Sequence, residues 1–389
     1  WGTVMIVLLL VGLALYAYTV GTRTLLEHAE NFSFRRLSVA QVEDQNAFRF
    51  FYVTNRQPGD LQGAVEGRYE PTRETSLKFG SFDTSIEASL GLGIIIDPSA
   101  WFLNEEINLR EVRSLEQQAF LSELRQQVEA SPNRSLLLVV HGFREAFPSA
   151  LRKTAFLAHV LDIDTPVVVF DWPGNQGSSL RGYRRARQVA QASGAELATT
   201  VKLIIDEVQP ERLWLMANSM GGQVVADAFS ILYQDADLAD AQTEIENVVL
   251  TAPDVGHEEF NNQFKDEMKA LANNVTVYVS SNDRALLVSR VINRGLRLGE
   301  STLDPGNPGQ VEQAARVFEL LEPGSDQLSL VDVTPVNRTR NFHNFSLETP
   351  EFFDDLYLRF TGSDMPKSRE LSSIQTPAGS RYFVLTRGR

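Results

Sequence analysis

One serine of this 389-residue chain lies where a nucleophile could be activated. The apolar run Arg212–Met216 leads straight into Ala217-Asn218-Ser219-Met220-Gly221, and a helical pattern follows at once. A strand-to-helix turn this tight needs small residues around the serine, because larger side chains would collide with the neighbouring strand or helix. The turn lifts the hydroxyl above the sheet, at a helix N-terminus that favours developing negative charge. The pattern predicts a nucleophile elbow with Ser219 as nucleophile; the alternative is a serine that only caps a helix.

A serine hydroxyl is a weak nucleophile until a base removes its proton, so a histidine is needed nearby. In folds with such an elbow, the acid and then the histidine follow the serine along the chain. Only His257 and His343 follow Ser219. His343 lies in the loop after a late predicted strand, whereas His257 lies in a polar segment and is expected to be solvated. We therefore predict His343 as the base, with a structural loop histidine as the alternative.

The acid that orients the histidine should follow a strand between the serine and the histidine. Asp283 follows the predicted strand Asn274–Ser280, and Asp254 follows the preceding predicted strand, Glu246–Thr251. We favour Asp283, because its strand is the usual place for this acid. Asp254 stays open as an alternative acid, or as a structural or pocket residue.

Two backbone N–H groups are expected to form the oxyanion hole. One belongs to Met220, the residue after the nucleophile. The other is assigned to Phe143, because the apolar run Ser135–Val140 ends in His141-Gly142-Phe143, where the glycine permits a sharp turn. His141 precedes the serine in the chain, so we expect it to support this loop rather than act as the base.

The elements that must position these residues alternate between strand and helix from residue 135 onward. The further predicted strands are Phe48–Val53, Ser76–Ile86, Pro166–Phe170, Leu328–Val333 and, as an edge strand or a mobile segment, Arg381–Leu385. The predicted helices are Ser114–Glu129, Pro148–Val160, Arg184–Glu207, Met220–Tyr233, Ala285–Asn293 and Glu351–Phe360. Strands separated by helices imply right-handed crossovers, and hence a mostly parallel sheet with helices on both faces. Together with the elbow, this order predicts the α/β-hydrolase fold.

Composition excludes several classes of function. With 50 acidic and 36 basic residues the net charge is -14, which argues against nucleic-acid binding and against peripheral binding to anionic lipid. The chain has no cysteine, so disulfides, thiolate metal sites and cysteine nucleophiles are excluded. No nucleotide-binding glycine pattern or metal-ligand spacing is present, and no cofactor is expected.

Arg181, Arg184, Arg185 and Arg187 could bind an anionic group, although a solvated face is the simpler interpretation. Trp172 is expected either to line the pocket or to pack.

The N-terminal apolar run Val4–Val20 is just long enough to cross a bilayer at ~1.5 Å per residue. A signal peptide and a buried helix are the alternatives, but no small-x-small cleavage pattern follows the run, so we favour a retained anchor. The predicted division is an anchor over residues 1–23, a linker over 24–45, the hydrolase domain over 46–362 and a C-terminal tail over 363–389.

Several segments resemble a bacterial α/β-hydrolase family of unknown activity. They are Val140–Phe143 (VHGF), Phe170–Pro173 (FDWP), Asn218–Gly221 (NSMG), Thr251–Val255 (TAPDV), Val279–Ala285 (VSSNDRA), Phe51–Arg56 (FYVTNR) and Leu77–Gly80 (LKFG). The likeness extends over residues 46–361 and implies the fold and a Ser-His-Asp triad, but no substrate. That family usually has histidine before the serine, where this chain has Asn218. Since asparagine can also form a hydrogen bond there, we expect activity to be kept but retuned.

The predicted function is therefore that of a serine hydrolase, similar to carboxylesterases and lipases, which cleaves an ester or amide through an acyl-enzyme. Its substrate would be a small-molecule ester or a lipid. The alternative is a catalytically silent hydrolase-fold subunit of a membrane protein complex, since fold does not guarantee activity. The expected location is the bacterial inner membrane, with the soluble domain in the periplasm.

Overall fold

The computed structural model describes residues 37–42, 47–86, 107–235, 245–300, 319–339, 343–362, 371–375 and 379–386. These residues form one 11-stranded sheet, in the order β10-β11-β9-β8-β7-β6-β4-β5-β1-β2-β3. The neighbours from β11 across to β1 are parallel, while β10 pairs antiparallel with β11, and β2 pairs antiparallel with both β1 and β3. The mostly parallel α/β architecture predicted from the sequence is confirmed.

The elements of the described chain have the following bounds. The strands are β1 (Ala47–Pro58), β2 (Tyr69–Ile86), β3 (Ile107–Leu115), β4 (Ser135–Val140), β5 (Val167–Asp171), β6 (Arg212–Asn218), β7 (Ile245–Thr251), β8 (Ala272–Val279), β9 (Leu328–Asp332), β10 (Leu371–Gln375) and β11 (Arg381–Leu385). The helices are α1 (Gln117–Ala130), α2 (Phe147–Leu161), α3 (Leu180–Leu203), α4 (Gly221–Tyr233), α5 (Lys265–Leu271), α6 (Arg284–Asn293), α7 (Phe345–Glu348) and α8 (Pro350–Thr361). Shorter helical turns are Leu37–Ala40, Val65–Gly67, Ile204–Val208, His257–Glu259, Phe260–Phe264 and Leu298–Glu300.

The central strands β4 and β5 are almost entirely apolar and fully buried because both faces of the sheet are covered. Successive side chains of a strand point to opposite faces, and in β4 they divide between two buried layers. Leu136 and Leu138 belong to the layer that contains α3 and α4 residues. Leu137 and Val139 belong to the layer that contains α2 and α8 residues. The predicted helices on both faces are thus confirmed.

Two of the predicted elements differ from the prediction in extent or position. The helix expected over residues 114–129 begins at Gln117, because Ser114 and Leu115 still pair with β2 as the end of β3. The strand Arg381–Leu385 is not at the edge: it lies between β9 and β10, and β10 is the edge strand. Both strands come from the region predicted as a tail.

Helix α8 is fastened to β8 by buried polar side chains. The Tyr278 hydroxyl donates to Asp355 Oδ2 at 2.5 Å, and Arg359 Nε donates to the same oxygen at 2.9 Å. Asp355 and Tyr278 are completely buried, and Arg359 nearly so. The hydrogen bonds of Tyr278 with Asp355 and Arg359 hold the helix that follows the His343 loop against the strand that leads to Asp283.

The predicted membrane anchor, residues 1–23, lies outside the described residues, as does most of the predicted linker. Within that linker the turn Leu37–Ala40 is described, and Leu37 and Ala40 are buried against the domain. Of the helices in the described ranges, none is both long enough and apolar enough to cross a membrane.

Candidate active site

The sharp turn after β6 places Ser219 at the C-terminal edge of the sheet. Ser219 has φ 51°, a left-handed conformation that is costly for a residue with a side chain. Its backbone N–H donates to Thr251 O at 2.9 Å, which fixes the turn against β7. A Cβ at Gly221 would lie 2.5 Å from His141 O and 2.7 Å from Val140 O, so only glycine fits there. The expected need for a small residue after the serine therefore has a steric cause.

The three side chains predicted as nucleophile, base and acid form one hydrogen-bonded series. His343 Nε2 lies 2.9 Å from Ser219 Oγ, and His343 Nδ1 lies 2.7 Å from Asp283 Oδ2. Asp283 is fully buried, Ser219 is 6% exposed, and the His343 side chain is 15% exposed. The structure thus brings His343 next to Ser219, which is 124 positions away in the chain, and next to Asp283, which is 60 positions away.

The Asp283 carboxylate divides its two oxygens between two tasks. Oδ1 accepts hydrogen bonds from the backbone N–H groups of Ala285 and Leu286, both at 3.0 Å, and so caps helix α6. Aspartate is a preferred N-cap because its oxygen satisfies N–H groups that have no partner inside the helix. Oδ2 is left for His343, so the cap also fixes the direction in which the second oxygen points.

The charge of Asp283 raises the pKa of His343. Burial alone would lower the pKa of this imidazole, but the negative charge and hydrogen bond of Asp283 outweigh burial. Asp254 adds a smaller upward effect and Lys153 a smaller downward one. The pKa of His343 therefore lies above the ordinary histidine value, which makes the imidazole a better proton acceptor.

Asp254, the alternative acid, is occupied elsewhere. Its carboxylate accepts hydrogen bonds from Arg297 Nε at 2.6 Å, Ser289 Oγ at 2.5 Å and Tyr183 OH at 2.8 Å. Its backbone N–H donates to Ser219 O at 3.0 Å. These contacts favour the structural interpretation of Asp254, as a buried residue that stabilises the turn at Ser219.

The two predicted oxyanion donors have N–H groups that are available. Within the described part of the chain, neither the Phe143 nor the Met220 N–H donates a hydrogen bond. The loop after β4 approaches the serine closely, since a Cβ on Gly142 would lie 3.1 Å from Ser219 Cβ. The Phe143 ring packs edge-on against Tyr183, with the ring centroids 5.7 Å apart. N–H groups without an acceptor beside a nucleophile are of the kind that stabilises negative charge on a substrate oxygen.

His141 supports the Phe143 loop, as its position before the serine predicts. It is buried, its ring stacks on Trp172 at 5.5 Å, and its Nε2 lies 3.1 Å from Asp171 Oδ1. Trp172 is fully buried, and its indole N–H donates to His141 O at 2.8 Å. Of the two expectations for Trp172, packing is therefore the one observed.

Arg56 is a residue that sequence reasoning missed. It lies near the end of β1, is fully buried, and forms a bidentate ion pair with Asp171 at 2.7 and 3.0 Å. It also donates to Trp172 O at 2.7 Å and to Glu145 O at 2.9 Å, which tie it to the loop that carries Phe143. Burial alone would raise the pKa of Asp171, but Arg56 and His141 hold it below its ordinary value. The available signal was a pair of opposite charges at the ends of two apolar strands.

Two other expectations can be compared with the structure. The prediction that His257 is solvated was wrong, because the residue is 2% exposed. Its backbone N–H donates to Leu296 O at 2.9 Å, and a β-bridge between Gly256 and Arg297 lies beside it. Arg181, Arg184 and Arg185 are exposed, as a solvated face predicts. Arg187 instead binds Asn293 Oδ1 at 2.7 Å and Glu259 at 3.2 Å.

A family model described as "Alpha/beta hydrolase of unknown function (DUF900)" matches residues 116–353, more than half of the chain. The chain belongs to this family. The match begins just before α1 and ends within α8, so Ser219, Asp283 and His343 of this α/β-hydrolase all lie inside it. No curated protein is similar enough to match the chain.

Several solved esterases match the chain at low identity and low TM-score. A cold-adapted esterase from an Arctic intertidal metagenomic library is 11% identical and has a TM-score of 0.38; the alignment covers 82% of this chain and 97% of that one. An esterase of Pyrococcus furiosus is 12% identical with a TM-score of 0.34, over 58% and 80% of the two chains. An esterase of Thermogutta terrifontis is 13% identical with a TM-score of 0.29, over 60% and 86%.

Proposed function

We propose that this α/β-hydrolase is a serine hydrolase that cleaves an ester or an amide through an acyl-enzyme intermediate. One observation carries the proposal: the unbroken series from Asp283 through His343 to Ser219, with distances of 2.7 and 2.9 Å. A hydroxyl, an imidazole and a carboxylate in this order can remove a proton from the hydroxyl and stabilise the imidazolium that results.

In the first half of the proposed reaction, His343 Nε2 takes the proton of Ser219 as Oγ attacks the substrate carbonyl. The carbonyl electron pair moves to oxygen, and the N–H groups of Phe143 and Met220 donate to this oxyanion. The imidazolium then gives its proton to the leaving alcohol or amine. The carbonyl reforms as the bond to the leaving group breaks, and an acyl group remains on Ser219.

In the second half, water replaces the leaving group. His343 takes a proton from the water as its oxygen attacks the acyl carbon, and the same N–H groups hold the second oxyanion. The imidazolium returns the proton to Ser219 Oγ as the carboxylic acid leaves. Asp283 stays ionised and holds Nδ1–H of His343 throughout.

Covalent labelling tests the proposal directly. We expect a fluorophosphonate probe to modify the protein at Ser219, located by peptide mass spectrometry, and Ser219→Ala to abolish the labelling. Ser329→Ala is the matched control, since Ser329 is also buried but lies in β9. A folded wild-type protein that does not react would refute the proposal. That result would favour the alternative, a catalytically silent subunit, which should then co-purify with membrane proteins in fixed ratio.

The substrate class within this proposal is a small-molecule ester or a lipid. Aryl esters of increasing acyl chain length would distinguish the two, because a lipase-like pocket gains transition-state binding from each added methylene whereas a short pocket does not. A rise in kcat/KM up to long chains supports a lipid, and a maximum at short chains supports a small ester.

Membrane attachment is kept as part of the proposal, supported by the sequence of residues 4–20 alone. A periplasmic location is kept with it, since a chain without cysteine suits an oxidising compartment. We expect the full chain to stay in the membrane fraction after alkaline carbonate extraction. Protease added to spheroplasts should digest its soluble domain. Release by carbonate would contradict the anchor, and protection from protease would contradict the periplasmic location.

A further inference from the structure

The loop that carries His343 meets the nucleophile elbow at a second point. Asn218, the residue before the nucleophile, donates from Nδ2 to Ser346 Oγ at 3.0 Å. Ser346 lies in α7, three residues after His343. The bond between Ser219 and His343 and the bond between Asn218 and Ser346 therefore join the same two segments of the chain.

Asn218 is itself held in place by β7. Its Nδ2 also donates to Thr251 Oγ1 at 3.0 Å, so both amide hydrogens have acceptors. Its Oδ1 faces the Phe143 loop, 3.0 Å from the position that a Cβ on Gly142 would take. Because Thr251 holds the Asn218 amide in place, this amide can fix the position of the Ser346 hydroxyl; Ser346 is 3% exposed.

The second attachment differs from the first in what happens during the reaction. The proposed function breaks and reforms the hydrogen bond between His343 and Ser219 in each turnover, because that bond carries the transferred proton. The bond between Asn218 and Ser346 includes no reacting atom and can persist. The segment is also fixed by Phe345, which is fully buried and packs against Phe352 with ring centroids 5.7 Å apart.

We propose that Asn218 and Ser346 are positioning residues, which keep the His343 imidazole over Ser219 while the proton is transferred. The inference rests on the proposed function, since it concerns the same site. It assigns to the residue before the nucleophile a role in holding the base, in addition to its place in the tight turn.

The test compares Ser346→Ala, Asn218→Ala and the double variant with the wild-type full chain, using p-nitrophenyl acetate. Each single change should lower kcat about 10- to 100-fold, as expected when a catalytic group is displaced by about 1 Å. KM should change much less, because neither side chain is proposed to touch substrate. The double variant should lose no more than the worse single variant, because the two residues act as one unit. Ser346→Thr, which keeps the hydroxyl, should restore most of kcat.

A matched control exists elsewhere in the fold. Asn55 Nδ2 donates to Ser193 Oγ at 3.0 Å, in another asparagine–serine pair whose two residues are both buried. Ser193→Ala removes the same kind of bond away from the proposed base. We expect it to lower Tm without lowering kcat. If Ser193→Ala lowers kcat as much as Ser346→Ala, loss of stability explains both effects and the inference is overturned.

A measurement without turnover separates this inference from the proposed function. NMR titration of the His343 ring should show a lower pKa in Ser346→Ala and Asn218→Ala than in the wild type, because a displaced imidazole gains less from Asp283. An unchanged titration, or single-variant losses in kcat that multiply in the double variant, overturns the positioning role. Absence of fluorophosphonate labelling in the wild type refutes the proposed function, while the titration still decides whether the imidazole is held.

Discussion

Among single residues, a substitution of Asp283 should separate an effect on catalysis from an effect on stability most clearly. In Asp283→Asn the amide oxygen can still cap α6, but the amide nitrogen cannot accept the Nδ1–H of His343. The imidazole then loses its correct tautomer, and we expect kcat to fall on the order of 10⁴-fold. Because the cap survives, Tm should change little. Steady-state kinetics and a thermal melt on the same sample check both parts.

Asp254→Asn is the matched control for that change, and the opposite pattern is expected. It removes a charge that pairs with buried Arg297, so the free energy of unfolding should fall by about 3–5 kcal/mol. In protein that remains folded, kcat should fall far less than in Asp283→Asn. If Asp254→Asn instead abolishes turnover with an unchanged melt, the assignment of the acid is wrong.

The raised pKa of His343 sets the pH dependence of the reaction. Below this pKa the imidazole is protonated and cannot accept the Ser219 proton, so kcat/KM should rise with pH through the pKa of His343. Because Asp283 raises that pKa, the midpoint should lie above the ordinary histidine value of about 6.5. In Asp283→Asn the residual activity should have its midpoint at lower pH. A wild-type midpoint below the ordinary value would contradict the arrangement.

At the scale of elements, the sequence was most informative where burial was complete. β4 and β5 are fully buried and almost entirely apolar because helices cover both faces, and these runs were predictable. β3 was missed because it is half-exposed: only Ile107 and Val112 are buried, and charged residues interrupt any simple alternation. The turns from His257 to Leu271 were missed because they are short and mixed in character. The local sequence pattern is therefore least informative for elements that pack against the protein on one face only.

The junction between β6 and α4 predicts a strong effect from one added methyl group. In Gly221→Ala the new Cβ would meet backbone oxygens of Val140 and His141, which cannot rotate away. The elbow and the Phe143 loop must then separate, so we expect a loss of about 1–3 kcal/mol in stability. Displacement of an oxyanion donor should lower kcat by ~10²-fold.

Gly295→Ala is the control for that substitution, because a Cβ there would have only one neighbour, Asn293 O at 4.0 Å. We expect both its Tm and its kcat to match the wild type. Chemical denaturation and ester hydrolysis measure the two effects. Wild-type kcat in folded Gly221→Ala would show that the spacing between the elbow and the loop does not limit the reaction.

For the molecule as a whole, the sheet has a parallel part that carries the proposed catalytic groups and an antiparallel part, β1 to β3, beside it. The positions of Ser219, His343 and Asp283 in the chain order were enough to single them out, because each follows a recognisable strand. The link between the two parts could not be found in this way. Arg56 and Asp171 are 115 residues apart, and opposite charges near the ends of two apolar strands do not by themselves identify the two residues as partners.

Arg56→Lys tests whether the antiparallel strands contribute to the site. Lysine keeps the charge but not the planar fork that reaches Asp171, Trp172 O and Glu145 O together. We expect the free energy of unfolding to fall by about 3 kcal/mol, since buried partners are left unsatisfied. Since Glu145 lies two residues beyond Phe143, kcat should also fall, by about tenfold or more. Denaturant unfolding and kinetics of the folded protein measure the two effects.

Arg49→Lys is the matched control, on the same strand and also in a bidentate pair, with Asp83 at 2.8 and 2.9 Å. The Arg49 side chain is 25% exposed, so its pair is worth only about 0–1 kcal/mol, and kcat should be unchanged. The comparison isolates burial, location and the additional backbone contacts of Arg56, because both arginines form a bidentate ion pair with an aspartate. Equal losses of kcat in the two variants would mean that the strand acts only through overall stability. A loss of kcat confined to Arg56→Lys would mean that β1 holds the Phe143 loop through this one side chain.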